Sequence, residues 1–117
     1  LDRESLKSLD IACRKEGFGN RIKTQVRDLK NFPLTSDELS KYDAIIVDPP
    51  RSGAKLQFLN IARSNVSIIV SISCNINTFV RDAKILIGNN YELKWVQPID
   101  QFLFSAHVEL VAIFQLK

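Results

Sequence analysis

Methionine is absent from this 117-residue chain, which opens at Leu1, so a piece of a longer protein is expected. Cysteine occurs only twice, at Cys13 and Cys74. That is too few for a secreted disulfide framework, and the spacing fits no metal-ligand pattern, so no metal site is expected. Two free thiols in a reducing cytoplasm are the reading instead. Glycine is scarce as well, with four residues, none arranged as a G-x-G-x-x-G loop. No apolar run approaches the ~20 residues that span a bilayer, and no charged-then-apolar leader opens the chain.

What is present is ordinary for a globular domain: 45% apolar and 25% charged residues exclude disorder and collagen. A chain of this length makes one domain at most and buries roughly 65% of its unfolded surface, enough for a core. The net charge of +3 suits an anionic partner, but an ordinary solvated surface looks the same.

Periodicity supplies the elements. Leu6, Leu9, Ala12 and Cys13 fall on helical spacing over 5–14, stopped by Gly17 and Gly19. Ile22–Val26 alternates as a short strand, and 31–41, with Pro33, Thr35, Ser36 and Asp37, reads as a loop containing a helical turn. Ala44–Val47 is an unbroken apolar run ended by Asp48-Pro49-Pro50, the pattern of a strand buried on both faces. A short helix is expected over 55–62 and a second buried strand over 66–72. Phe79, Val80, Ala83, Leu86 and Ile87 then mark an amphipathic helix closed by Gly88. Late strands follow over 91–97 and 107–116, joined by a loop with Asp100, Phe102 and Phe104. The class is therefore α/β with a largely parallel sheet, and a ligand site belongs outside the carboxyl ends of its strands.

Polar residues stand at those ends. Cys74 lies between a strand and a helix. With Asn75 as N-cap, the thiol would sit beside the positive helix end, where a thiolate nucleophile is favoured; a buried structural thiol is the equal alternative. Asp48 precedes two prolines that fix the backbone, either as a rigid platform for a carboxylate or as a plain strand terminator. Arg51 suits a phosphate or an internal carboxylate. Glu109 lies among Val108, Leu110 and Val111, where burial would raise its pKa toward that of a general base. Pairing with His107 on the same strand face is the structural alternative. Asp2 and Asp28 stand where a doubly wound sheet presents carboxylates to a nucleotide, though single aspartates are more often surface residues.

Taken together, Asp48-Pro-Pro-Arg51, then Ser73-Cys74-Asn75 with Thr78 and Arg81-Asp82, then Asp100-Gln-Phe102 and His107-Val-Glu109, resemble one family in one order. It is the S-adenosylmethionine-dependent RNA uracil-C5 methyltransferases of the TrmA type, which act on 23S rRNA and tRNA. The resemblance spans nearly the whole chain and is best from Asp43 onward. It implies a partial Rossmann-like methyltransferase sheet lacking its first two strands, with residues 1–117 the C-terminal part of the catalytic domain. It also implies that Cys74 adds to C6 of uracil and that Glu109 removes the C5 proton. Asp48, Asp28 and Asp2 would meet the methionine end, adenine and ribose of S-adenosyl-L-methionine.

The implied partner is RNA, with ribosomal RNA expected ahead of tRNA, and the implied compartment is the cytoplasm. Two departures stand out: Ile76 replaces a proline usual in the family, and Leu103 follows Phe102 where many members have proline. The family's glycine-rich loop, and any iron–sulfur or RNA-binding region, would precede Leu1. The chain alone is accordingly expected to be inactive, and to pair Ile22–Val26 with Ala44–Val47 or with a second copy through exposed strand edges. The rivals are an amino-group methyltransferase, which uses an aromatic residue where Arg51 stands, and a catalytically silent RNA-binding module.

Overall fold

The computed structural model describes residues 2–100 and 108–117. The chain forms two compact units, the first closing at Phe32 and the second running from Pro33 to Lys117.

The first unit is built on α1, Arg3–Lys15. Asp2 is its N-cap, and its carboxylate accepts from the Ser5 N–H at 3.0 Å and from the Ser5 hydroxyl. Glu4 in the first turn and Arg14 and Lys15 in the last complement the helix dipole. The helix ends on Gly17 at φ 82°, where Phe18 N–H reaches Cys13 O at 2.7 Å and Gly17 N–H reaches Arg14 O at 3.3 Å. That pair of bonds satisfies the last carbonyls, and the left-handed residue that permits it has no Cβ to strain.

The expected strand over 22–26 does not form. Its alternation is real, but a strand needs a ladder partner and the first unit contains no strand. The expected pairing of Ile22–Val26 with Ala44–Val47 falls with it.

The second unit begins with a single helical turn, α2 (Ser36–Leu39), held by a capping box. Thr35 Oγ1 accepts from Glu38 N–H at 3.2 Å while the Glu38 carboxylate accepts from Thr35 N–H at 2.8 Å. There follow β1 (Ala44–Val47), α3 (Lys55–Ser64), β2 (Ile68–Ser73), α4 (Ile76–Ile87), β3 (Tyr91–Ile99) and β4 (Glu109–Leu116). The strands form one sheet in the order β1-β2-β4-β3. β1 and β2 are parallel, whereas β4 runs antiparallel to both β2 and β3.

The sheet is thus mixed, not largely parallel. β3 does point the same way as β1 and β2, but β4 folds back between β2 and β3 as the second arm of a hairpin. Among the described residues, the outer edges of β1 and β3 are unpaired.

One sheet face carries the core. Ile69, Ser71 and Ser73 lie in register with Phe114, Ala112 and Leu110, and α3 and α4 cover them with Phe58, Ile61, Ala83 and Leu86. Phe79 and Phe114 meet with ring centroids 6.5 Å apart. Tyr91 is fully buried, and its hydroxyl donates to Val66 O at 2.7 Å, so the ring brings its polar end in without penalty. Ile68, Val70 and Ile72 point to the opposite face with Val111 and Ile113, and Ile46 beside them is 72% exposed. No helix of the described residues is long and apolar enough to cross a membrane.

Candidate active site

The direction of β4 decides what meets at the sheet end. Because β4 opposes β1 and β2, its first residue lies at the end where those two strands finish. Asp48 leaves β1 there, Cys74 leaves β2, and Glu109 opens β4.

The register is specific. Ser73 stands opposite Leu110 as the last step of the β2–β4 ladder, so Cys74 and Glu109 are the residues next beyond that pair, at the same sheet end. On the other side of β2, the parallel register sets Val47 level with Ser71, so Asp48 leaves the sheet level with Ile72.

Cys74 is half-buried, in contrast to the buried Cys13. Its backbone is pinned on both sides: Ser73 Oγ accepts from Asn75 N–H at 3.3 Å and donates to Asn75 O at 3.1 Å. Asn75 is the N-cap of α4, as its spacing predicts, and its Oδ1 accepts from Asn77 N–H at 3.0 Å. The thiol therefore stands at the mouth of a helix, outside the hydrocarbon core. Ile76 occupies the first helical position without disturbing that cap.

Glu109 is half-buried and paired with Ile99. It opens its strand and does not lie within the apolar run, which is a milder burial than the sequence pattern suggests. Among the described residues, no hydrogen bond or ion pair engages the side chains of Asp48, Cys74 or Glu109. The alternative partner His107, and the loop residues Phe102 and Phe104, lie outside the described residues.

Asp2 and Asp28 belong to the first unit, and both carry local structural duties. Asp28 accepts from Lys30 N–H at 3.1 Å and Asn31 N–H at 3.4 Å, and from the Asn31 side chain at 2.6 Å. It closes a turn and does not end a strand. The Asn31 amide holds the Asp28 carboxyl below the usual range, and the Ser5 hydroxyl and N–H do the same for Asp2.

Sequence reasoning left unread what holds the short loop from Arg51 to Ala54 in place. Arg51 O accepts from Asn75 Nδ2 and from Thr78 Oγ1, both at 3.2 Å. Ser52 O accepts from the Arg81 guanidinium at 3.2 Å. Asp82, 2% exposed, takes the Arg81 Nε–H at 2.8 Å on one oxygen and Ala54 N–H at 3.0 Å on the other. The second bond caps the start of α3, whose own N-cap residue is an alanine with no side chain to offer. Gly53 sits at φ 75°, and a Cβ there would fall 2.7 Å from Asp82 Oδ2 and closer still to Arg81. The available signal was a carboxylate on the apolar stripe of α4, where Phe79, Asp82, Ala83 and Leu86 share a face.

Residues 11–116 match the model of the family described as tRNA (Uracil-5-)-methyltransferase. The chain belongs to the tRNA (uracil-5-)-methyltransferase family. Among relatives of this methyltransferase chain, an uncharacterised RNA methyltransferase of Agrobacterium fabrum is 45% identical over 112 residues, and one of Zymomonas mobilis 47% over 96 residues. The chain spans 27% of the length of the first and 24% of the second. The Pyrococcus abyssi tRNA (uracil-54, C5)-methyltransferase, solved with S-adenosyl-L-homocysteine, superposes with a TM-score of 0.72 at 30% identity over 97% of this chain and 27% of its own. An S-adenosylmethionine-dependent O-methyltransferase of Thermotoga maritima shares the fold alone, with a TM-score of 0.55 at 15% identity, over 98% of this chain and 48% of its own.

Proposed function

We propose that the protein carrying this chain methylates C5 of uracil in RNA, with Cys74 as nucleophile and Glu109 as base. The observation that supports the reading is that Cys74, Glu109 and Asp48 gather at one sheet end, where β1 and β2 finish and β4 begins.

Uracil C5 is a poor nucleophile until sulfur adds to C6. The Cys74 thiolate forms a C6–S bond, and the C5=C6 electron pair moves into an enolate that makes C5 electron-rich. Once C5 carries the new substituent, Glu109 takes its proton. The released pair then re-forms C5=C6 and expels the Cys74 thiolate. The pyrimidine must leave any base stack for the sulfur to reach it.

S-adenosyl-L-methionine supplies an electrophilic methyl group when bound. The chemistry of the donor set fits: Asp48 offers an exposed carboxylate, unengaged among the described residues, to the cofactor's methionine ammonium. Asp28 and Asp2 are the proposed acceptors for adenine and ribose, each carboxylate retaining lone pairs beyond its local bonds.

Residues 1–117 are read as the C-terminal part of the catalytic domain. On their own they are expected to turn over negligibly and bind cofactor weakly; micromolar binding in a calorimetric titration overturns that. The proposed compartment is the cytoplasm. Ribosomal RNA is the proposed target on the sequence resemblance, and the tRNA substrate of the Pyrococcus relative makes tRNA the second candidate. Methyl uptake by each purified RNA separates them, and uptake by tRNA alone reverses the order. An amino-group methyltransferase is disfavoured by Arg51, which offers no aromatic face to a target base.

The deciding experiment challenges the whole protein with 5-fluorouracil-substituted RNA and cofactor. Fluorine cannot leave as a proton, so a denaturant-stable protein–RNA adduct is expected from the wild type and none from Cys74→Ala. Absence of any adduct, or an adduct that survives Cys74→Ala, sinks the assignment.

A further inference from the structure

We propose that Arg81 and Asp82 are positioning residues that staple the Asp48 loop to the start of the Cys74 helix, and so set the spacing between cofactor and pyrimidine. This rests on the function proposed above and adds to it the device that aligns the two halves of the site.

The loop from Asp48 to Ala54 leaves β1 with two prolines and one turn, Gly53 N–H to Pro50 O at 2.8 Å, of its own. Among the described residues, the other hydrogen bonds that fix it come from α4 and its N-cap. Its carbonyls at Arg51 and Ser52 accept from Asn75, Thr78 and Arg81, and its last N–H, at Ala54, is taken by Asp82. Those four side chains fall on successive turns of the helix that begins directly after Cys74.

Each end of the loop therefore has an address on the same rigid element. Asp82 is buried and satisfied by two donors, one of them the guanidinium that also reaches Ser52 O. Loss of Arg81 would leave one carboxylate oxygen without its charged partner and one loop carbonyl without a donor. Gly53 closes the arrangement: its left-handed backbone and the lack of room for a Cβ let the loop lie flat on Thr78, Arg81 and Asp82.

The functional consequence follows from geometry. If Asp48 holds the cofactor and Cys74 holds the pyrimidine, the methyl group and C5 are carried by separate strand ends that, without the staple, the β1–β2 pairing would have to align by itself. Near-attack alignment tolerates little play, and a displacement of about 1 Å costs on the order of 100-fold in rate. The staple removes that play without touching either ligand. Its loss should then lower turnover while leaving both binding steps in place.

The test uses the whole protein and three variants: Arg81→Gln, Arg81→Lys and Thr78→Val. Arg81 lies partly in solvent, but its loss leaves the buried Asp82 charge unpaired, so folding of each variant is checked by circular dichroism. Thr78→Val, which keeps the Arg81–Asp82 pair, loosens the loop by itself. In Arg81→Gln we expect amide exchange at Ala54 to quicken at least 10-fold and kcat to fall at least 10-fold. KM for cofactor and RNA should stay within about twofold, with Arg81→Lys and Thr78→Val in between. Unchanged exchange at Ala54 overturns the staple. Faster exchange with unchanged kcat, or a rise in KM with kcat unmoved, overturns its positioning role. Should the wild type methylate no uracil, the proposed function fails and the positioning role with it, while Ala54 exchange still reports on the staple by itself.

Discussion

At the scale of single residues, the molecule separates groups that hold structure from groups left available for chemistry. Tyr91 is the clearest of the first kind. Burial raises its phenol above the usual value, since an ionised ring would lie in the core. A raised folded pKa means that the stabilisation is complete below the unfolded value of about 10 and is lost as pH climbs through the higher folded one. Wild-type stability should therefore slope downward above pH 10 in urea titrations, and Tyr91→Phe should remove that part of the slope. At neutral pH the same variant should lose about 1 kcal/mol with the bond to Val66 O. For Asp2 and Asp28 the sign is opposite. Their lowered carboxyls favour the folded state above the unfolded carboxylate range, and that support fades as pH falls through the lower folded values. Glu109→Gln in the whole protein should slow turnover by about 100-fold or more, and trap adduct on ordinary uracil, because sulfur still adds but the C5 proton stays. Gel-shifted protein after denaturation checks this, and wild-type turnover would remove Glu109 from the chemistry.

Elements explain why some of this was legible beforehand. β1, β2 and α4 were recoverable because apolar run length and 3.6-residue spacing act within one segment. So was the Asn75 cap, which depends on residues two apart. The helical turn expected within 31–41 forms as Ser36–Leu39, read from Thr35, Ser36 and Asp37 and not from periodicity, because four residues leave too short a stripe. The segment 22–26 misled because alternation records a capacity to pair, and whether a partner exists is a property of other residues. Asp82 showed its oddity on the α4 stripe, and Arg81 is its neighbour, but its other partner, Ala54, lies 28 residues back, beyond any local pattern. Two substitutions probe these elements. Leu86→Ala, fully buried under the sheet, should cost about 2–5 kcal/mol in urea unfolding. Gly53→Ala should cost about 1–2 kcal/mol from its left-handed backbone alone, and more as Asp82 is pushed aside. A neutral Gly53→Ala would show that the loop can relax away from α4.

For the whole molecule, strand order lies beyond what periodicity records. Local patterns identify strands but not who sits beside whom, and β4 enters between two strands that precede it. The ordering also leaves an edge at β1, flanked by the exposed Ile46, with backbone groups unpaired among the described residues. Edges of this kind recruit further strands. Sedimentation of the isolated chain should show mass rising with concentration, and Ile46→Lys should suppress that rise. A monomer at all concentrations would count against self-pairing.

The inserted strand has one more consequence, in time. A ribosome releases β4 after the strands it joins, and β2 and β3 reach their final lanes only once it arrives. Growing chains that already carry Cys74 and its helix still lack the segment that brings Glu109 to the same sheet end. A stop codon or proteolytic cut between α4 and β4 therefore leaves the proposed nucleophile without its proposed base and β2 without the strand that joins it to β3.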